Sequence, residues 1–108
     1  MRPTNLFAGI PHSLPDELVE TLLENGQARI ERIVSRGHSS PEGQWYDQQE
    51  HEWVALLQGS ARLAFDDGSP DIELLPGDFL FIPARRRHRV AWTDSLQDNV
   101  WLALFLPA

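Results

Sequence analysis

Two side chains, Glu52 and His88, sit where a buried polar group must do something. His88 ends the run Pro76-Gly77-Asp78-Phe79-Leu80-Phe81-Ile82-Pro83-Ala84-Arg85-Arg86-Arg87-His88. Pro76-Gly77-Asp78 has the chemistry of a turn, Phe79 to Ile82 reads as a buried strand, and Pro83 begins a loop from which His88 opens the next strand. Strand alternation then puts His88 on one face with Val90 and Trp92, and Arg89, Ala91 and Thr93 on the other. Glu52 shares a face with Val54 and Leu56. A carboxylate heading an apolar face needs a partner when it is buried, and either a metal ion or an arginine would serve. His51 would complete a set of two histidines and a carboxylate. Adjacent strand residues point to opposite faces, however, so only a bulge would bring His51 to the same ion.

Composition removes several alternatives. The formal net charge of -7 opposes a nucleic-acid partner and a polybasic membrane anchor. All nine basic residues are arginine, which excludes a lysine Schiff base, and there is no cysteine, which excludes thiol chemistry and thiolate metal sites. Any metal must therefore use His, Asp, Glu or water. No apolar run marks a leader or a span, and the expected location is cytoplasmic.

The elements that must hold these residues are mostly strands. Ala28 to Ser35, Glu52 to Gln58, Ala61 to Phe65, Asp71 to Leu75, Phe79 to Ile82, His88 to Thr93 and Val100 to Leu106 read as strands broken by turn residues at regular spacing, the pattern of a sandwich or barrel. Before them, Ser13 as a cap, Asp16 and Glu17 in a first turn, an apolar stripe of Leu18, Val19 and Leu22, and Asn25-Gly26 as a stop predict one short helix. The expected organisation is a single domain: an arm and short helix over residues 1–27, then an all-β barrel over 28–108. The last strand is apolar on both faces, and Trp53 lies opposite Glu52. A second covered face implies the helix, the arm or another subunit, and the expectation is a homodimer through the side carrying Trp101 and Phe105.

Glu52 with Gly59, and Gly77 with Pro83 and His88, resemble the two motifs of the cupins. The first cupin motif runs glycine, His-x-His, three or four residues, Glu, six residues, Gly. The second runs Gly, five residues, Pro-x-Gly, two residues, His, three residues, Asn. The stretch from Glu31 through Trp45-Tyr46-Asp47-Gln48 to Val54 also resembles a group of small bacterial cupins. The resemblance spans roughly residues 28–106 and implies a single cupin jelly roll of six to eight strands with a divalent metal inside. The departures are specific. With four residues before Glu52, the His-x-His positions fall on Trp45 and Asp47; with three, they fall on Tyr46 and Gln48. Pro-x-Gly has become Pro83-Ala84-Arg85, and Trp92 replaces the closing Asn.

On that resemblance the expected metal set is Glu52, His88 and Asp47. This oxygen-rich set suits Mn²⁺ or Fe²⁺ and tolerates Zn²⁺ or Ni²⁺. Trp45, Tyr46 and Trp92 are expected to wall the pocket, and Tyr46 or His51 to act as acid or base. Arg85, in the loop before His88, reads either as a guanidinium clamp for a carboxylate or phosphate or as a solvated partner for surface acids. Cupins include oxygenases, isomerases, lyases and non-enzymes. The resemblance therefore implies a metal-dependent enzyme on a small organic acid or sugar-like molecule, or a non-catalytic small-ligand binder that has lost its metal.

Overall fold

Every regular element of the chain is a β-strand. A computed structural model describes residues 1–108 and places eight strands: β1 (Leu18–Glu24), β2 (Arg29–Ser35), β3 (Glu50–Gln58), β4 (Ala61–Phe65), β5 (Ile72–Leu74), β6 (Phe79–Ile82), β7 (His88–Thr93) and β8 (Asn99–Pro107). They form two antiparallel sheets, one ordered β1-β2-β8-β3-β6 and one ordered β5-β4-β7. The sheets face each other as a jelly roll, so residues at alternate positions point between them. Glu52, Val54 and Leu56 of β3 point inward, as do Trp101, Ala103 and Phe105 of β8. Leu63 and Phe65 of β4 meet them from the smaller sheet, and Leu56, Ala61 and Leu74 seal the core.

The short N-terminal helix expected from the sequence is not formed; its residues make β1. Leu18 and Leu22 are four apart, a spacing that serves a helix face and a strand face equally. Pairing decides between them. Leu18 to Glu24 run antiparallel to Arg29 to Val34 through the Asn25-Gly26 turn, with a bulge between Thr21 and Leu23. Glu20 lies opposite Arg32 and ion-pairs with it. Residues 18–24 therefore belong to the larger sheet rather than to a separate arm. Arg32 is nearly inaccessible and also donates to the carbonyls of Leu6 and Ala8, at 3.0 and 2.6 Å. Arg36 donates to the His12 carbonyl at 2.9 Å. These two arginines fasten residues 6–12, which have no strand of their own, to the barrel. There is no helix long and apolar enough to cross a membrane.

Trp101 and Phe105 are not on an outer dimer face, as the sequence led us to expect; both are buried between the sheets. The outer face of the larger sheet is nevertheless apolar. Leu23, Ile30, Leu104, Trp53 and Phe81 are successive cross-strand partners, one from each of its five strands. Strands lie about 4.8 Å apart, so this row is about 20 Å long. Leu23 and Phe81, at its two ends, are 61% and 55% exposed.

Candidate functional site

The barrel interior contains a cavity of about 150 Å³ lined mostly by apolar side chains. Glu52 enters it from β3 and His88 from the start of β7. Both are buried, and His88 Nε2 lies 3.5 Å from Glu52 Oε1. The other ring nitrogen, Nδ1, is 2.8 Å from the Arg86 carbonyl oxygen. A carbonyl can only accept, so Nδ1 carries a proton. A neutral ring would then aim the Nε2 lone pair at a carboxylate. The arrangement is satisfied when a second proton sits between Nε2 and Oε1. Burial is the largest influence on His88 and opposes its charged form. The Glu52 carboxylate and the Arg86 carbonyl outweigh it, and the net effect raises the His88 pKa above the ordinary imidazole value.

Tyr46 completes this side of the cavity. Its N–H donates to the His88 carbonyl at 2.7 Å, and the His88 N–H donates back to the Tyr46 carbonyl at 3.2 Å. Residues that exchange both bonds in an antiparallel pair carry their side chains on the same face. Tyr46 therefore looks into the cavity with His88, ring centroids 5.6 Å apart, and Gln48 lies two residues on along the same lining. Trp45 and Asp47 flank Tyr46 and do not line the cavity.

This phase corrects several expectations. Asp47 is on the surface, 3.4 Å from Arg85, so neither a third metal ligand nor an arginine clamp stands in the cavity. Trp45 lies beneath the Arg89 guanidinium instead of walling the pocket. His51 points away from Glu52: its Nδ1 accepts from the Ala84 N–H at 2.9 Å, and its ring sits beside Phe81. Trp92 is also outside, under the Arg62 guanidinium. A bulge displaces it. Leu63 pairs with Val90 but Arg62 pairs with Trp92, so Ala91 is the extra residue and the alternation inverts beyond it. Thr93, not Trp92, then points inward and is buried.

Among the lining residues that the sequence-based reading of the site did not include, four are charged or aromatic. Trp101 and Phe105 reach it from β8, Glu31 from β2, and Glu17 from the segment just before β1. Glu31 is held by Arg29 at 2.8 Å, and Arg29 also lies 4.3 Å from the Phe105 ring centroid. Burial raises the Glu17 pKa, partly offset by His38 nearby. His38, in a loop by composition, accepts from the Arg36 N–H and lies 3.1 Å from the Pro15 carbonyl.

The match to the cupin domain family covers residues 32–105. The chain belongs to the cupin family. No curated protein matches it. Among solved structures, this cupin is similar to a Ralstonia eutropha protein provisionally assigned as a mannose-6-phosphate isomerase, at 44% identity over 100% of both chains with a TM-score of 0.95. A cupin superfamily protein of Desulfitobacterium hafniense is 23% identical, over 92% of this chain and 84% of that one, at a TM-score of 0.74. A polyketide cyclase of Streptomyces resistomycificus shares the fold at 19% identity and a TM-score of 0.72, over 87% of this chain and 67% of that one.

The donor set does not fit the divalent metal that the cupin resemblance implies. No three His, Asp or Glu side chains converge on one point. The inward phase selects the spacing of three residues before Glu52, so the two His-x-His positions are Tyr46 and Gln48. A phenol and a primary amide are far weaker donors to a divalent cation than two imidazoles. Arg85, where the motif has glycine, takes the positive φ of 67° that glycine would supply. The loop that delivers His88 thus keeps the left-handed residue that the motif's glycine would supply, while Tyr46 and Gln48 stand at the histidine positions.

Proposed function

We propose that this cupin is a metal-independent binding protein for a small molecule, held inside the barrel against the Glu52–His88 pair. The observation that carries this reading is the substitution of Tyr46 and Gln48 at the two histidine positions, beside a buried acid–base pair that remains intact. A pair that shares one proton can donate it to, or take one from, a ligand atom placed between Oε1 and Nε2. The cavity volume, about 150 Å³, is the size that admits one six-membered ring. Metal analysis tests the proposal. Protein equilibrated with Mn²⁺, Fe²⁺, Ni²⁺ or Zn²⁺ and then desalted is expected to retain substoichiometric metal, no more than His88→Ala retains. Stoichiometric metal in the wild type that His88→Ala loses would overturn it.

The Ralstonia eutropha relative favours a second reading, isomerisation of a phosphorylated sugar, with Glu52 and His88 moving the proton. Guanidinium and ammonium groups are the strong side-chain partners of phosphate. Here Arg85, Arg86 and Arg87 are spent on Asp47, Asp67 and Asp66, and no arginine lines the cavity. The charge around the cavity supports the first reading over this one.

The same proposal extends to a homodimer built on the outer row from Leu23 to Phe81. Monomers seldom leave a contiguous apolar patch of more than a few hundred Å² open to water. A second copy supplies a self-complementary cover through a two-fold axis. Light scattering is expected to give twice the chain mass, and Phe81→Glu, placed at the exposed end of the row, to give the monomer. A wild-type monomer at the highest attainable concentration would remove this part of the proposal.

A further inference from the structure

We infer that the cavity selects a small organic cation bearing N–H donors, received by Glu17, Gln48 and the open side of Glu52. This rests on the proposed reading of the barrel as a metal-free ligand pocket and specifies the charge of what enters it.

The charge of the lining is one-sided. Three carboxylates, Glu17, Glu31 and Glu52, face one imidazole, His88. Glu31 is neutralised by Arg29, and Glu52 is matched by His88. Glu17 forms no hydrogen bond or ion pair; its only charged influence is His38. The side-chain amide of Gln48 is likewise uncommitted, leaving its carbonyl free to accept. Glu52 adds a second kind of evidence. Its side chain is nine-tenths buried, yet its only polar neighbour is His88 at 3.5 Å. The single side-chain polar atom sealed from solvent without a partner is Arg89 Nε, so the Glu52 carboxylate is not sealed off, and Glu52 lines the cavity. A buried carboxylate whose oxygens face a cavity accepts hydrogen bonds from whatever fills it.

The walls suit a cation as well. Tyr46, Trp101 and Phe105 present aromatic surface. Ring faces attract cations. Arg29 supplies an internal precedent: its guanidinium rests over Phe105 while donating to Glu31, the combination of aromatic and carboxylate that an incoming cation would meet. The net charge of -7 favours the approach of cations over anions. Burial raises the Glu17 pKa, and a bound cation would relieve that cost.

The test uses three probes that share one ring and differ in charge: benzylammonium, benzyl alcohol and benzoate. Each is titrated into the protein and followed by the NMR resonance of the indole N–H of Trp101, a cavity-lining residue whose N–H donates to Ser35 Oγ at 3.1 Å. Benzylammonium is expected to bind at least about tenfold more tightly than benzoate, as expected for unit charges a few ångströms apart in a partly buried site. Glu17→Gln is expected to remove most of that preference. Glu73→Gln, an exposed carboxylate on β5, makes the same change in net charge and is expected to keep the preference. Equal binding of the three probes, or tighter binding of benzoate, overturns the inference and leaves the ligand-pocket reading standing. If none of the probes shifts Trp101, both fall.

Discussion

Replacing Gly59 with alanine is expected to cost about 3 kcal/mol or more of folding stability, enough to lower the melting temperature by about 15 °C in a domain of this size. Gly59 joins β3 to β4 with a φ of 94°, a region closed to most side chains. A Cβ there would overlap the Asn99 amide and approach the Asn99 Cα to 2.9 Å. Asn99 cannot yield. It is fully buried, its Oδ1 accepts from the Ser60 N–H at 3.0 Å, and its Nδ2 donates to the carbonyls of Ser35 and Asp94 at 3.0 and 2.7 Å. Moving it strands buried backbone acceptors, at about 1–3 kcal/mol each. Gly77 provides the control, because its φ is also 94° but its Cβ direction is empty. Gly77→Ala is expected to cost only the left-handed backbone penalty, about 1–2 kcal/mol. Chemical denaturation of both variants separates strain from collision. Equal losses would show that Asn99 moves aside.

The same glycine shows what the sequence could disclose. The spacings from Glu52 to Gly59 and from Gly77 through Pro83 to His88 were legible because each turn they mark is local, and the bulge in β3, between Leu56 and Gln58, lies beyond Glu52. Glu52 and His88 followed correctly, since no bulge intervenes before either one. Trp92 did not follow, because the extra residue at Ala91 inverts the face and nothing in Arg89-Val90-Ala91-Trp92 announces it. Asp47 and Trp45 depended on a register between two candidate spacings. The exchange of hydrogen bonds between Tyr46 and His88, which are distant in sequence, selects the other one. Leu18 and Leu22 satisfied two periodicities at once, and only the partner strand β2 distinguishes them. Glu17 had no local signal, because its place at the cavity depends on where the arm is fastened by Arg32 and Arg36. Fold is thus written in turns and alternation, whereas the composition of the cavity depends on bulges and long-range pairing.

The Glu52–His88 pair should make the protein less stable as the pH rises through neutrality. The His88 pKa is raised in the folded protein: burial, the largest influence, works against the charge, but Glu52 and the Arg86 carbonyl prevail. In the unfolded chain the imidazole has its ordinary value of about 6.5. The folded state therefore binds the proton more tightly. Its advantage is complete below that value and disappears as the pH climbs through the folded pKa. Unfolding free energy measured between pH 6 and pH 9 is expected to fall, and the fall should be absent from the corresponding profile of His88→Gln. Asp67 and Asp94, whose pKa values are lowered by hydrogen bonds from Ser69 and Gln97 respectively, lose their contributions only on strong acidification, outside this window. At pH 6, His88→Gln is expected to cost about 3 kcal/mol, because it leaves the Glu52 charge buried without its partner. Glu52→Gln keeps the shape, removes the charge that favours the imidazolium, and should flatten the profile. The double variant should be less damaging than the sum of the two single changes, since each alone strands the other residue. A wild-type profile identical to that of His88→Gln would mean that the pair holds no shared proton, and the acid–base role given to the cavity would go with it.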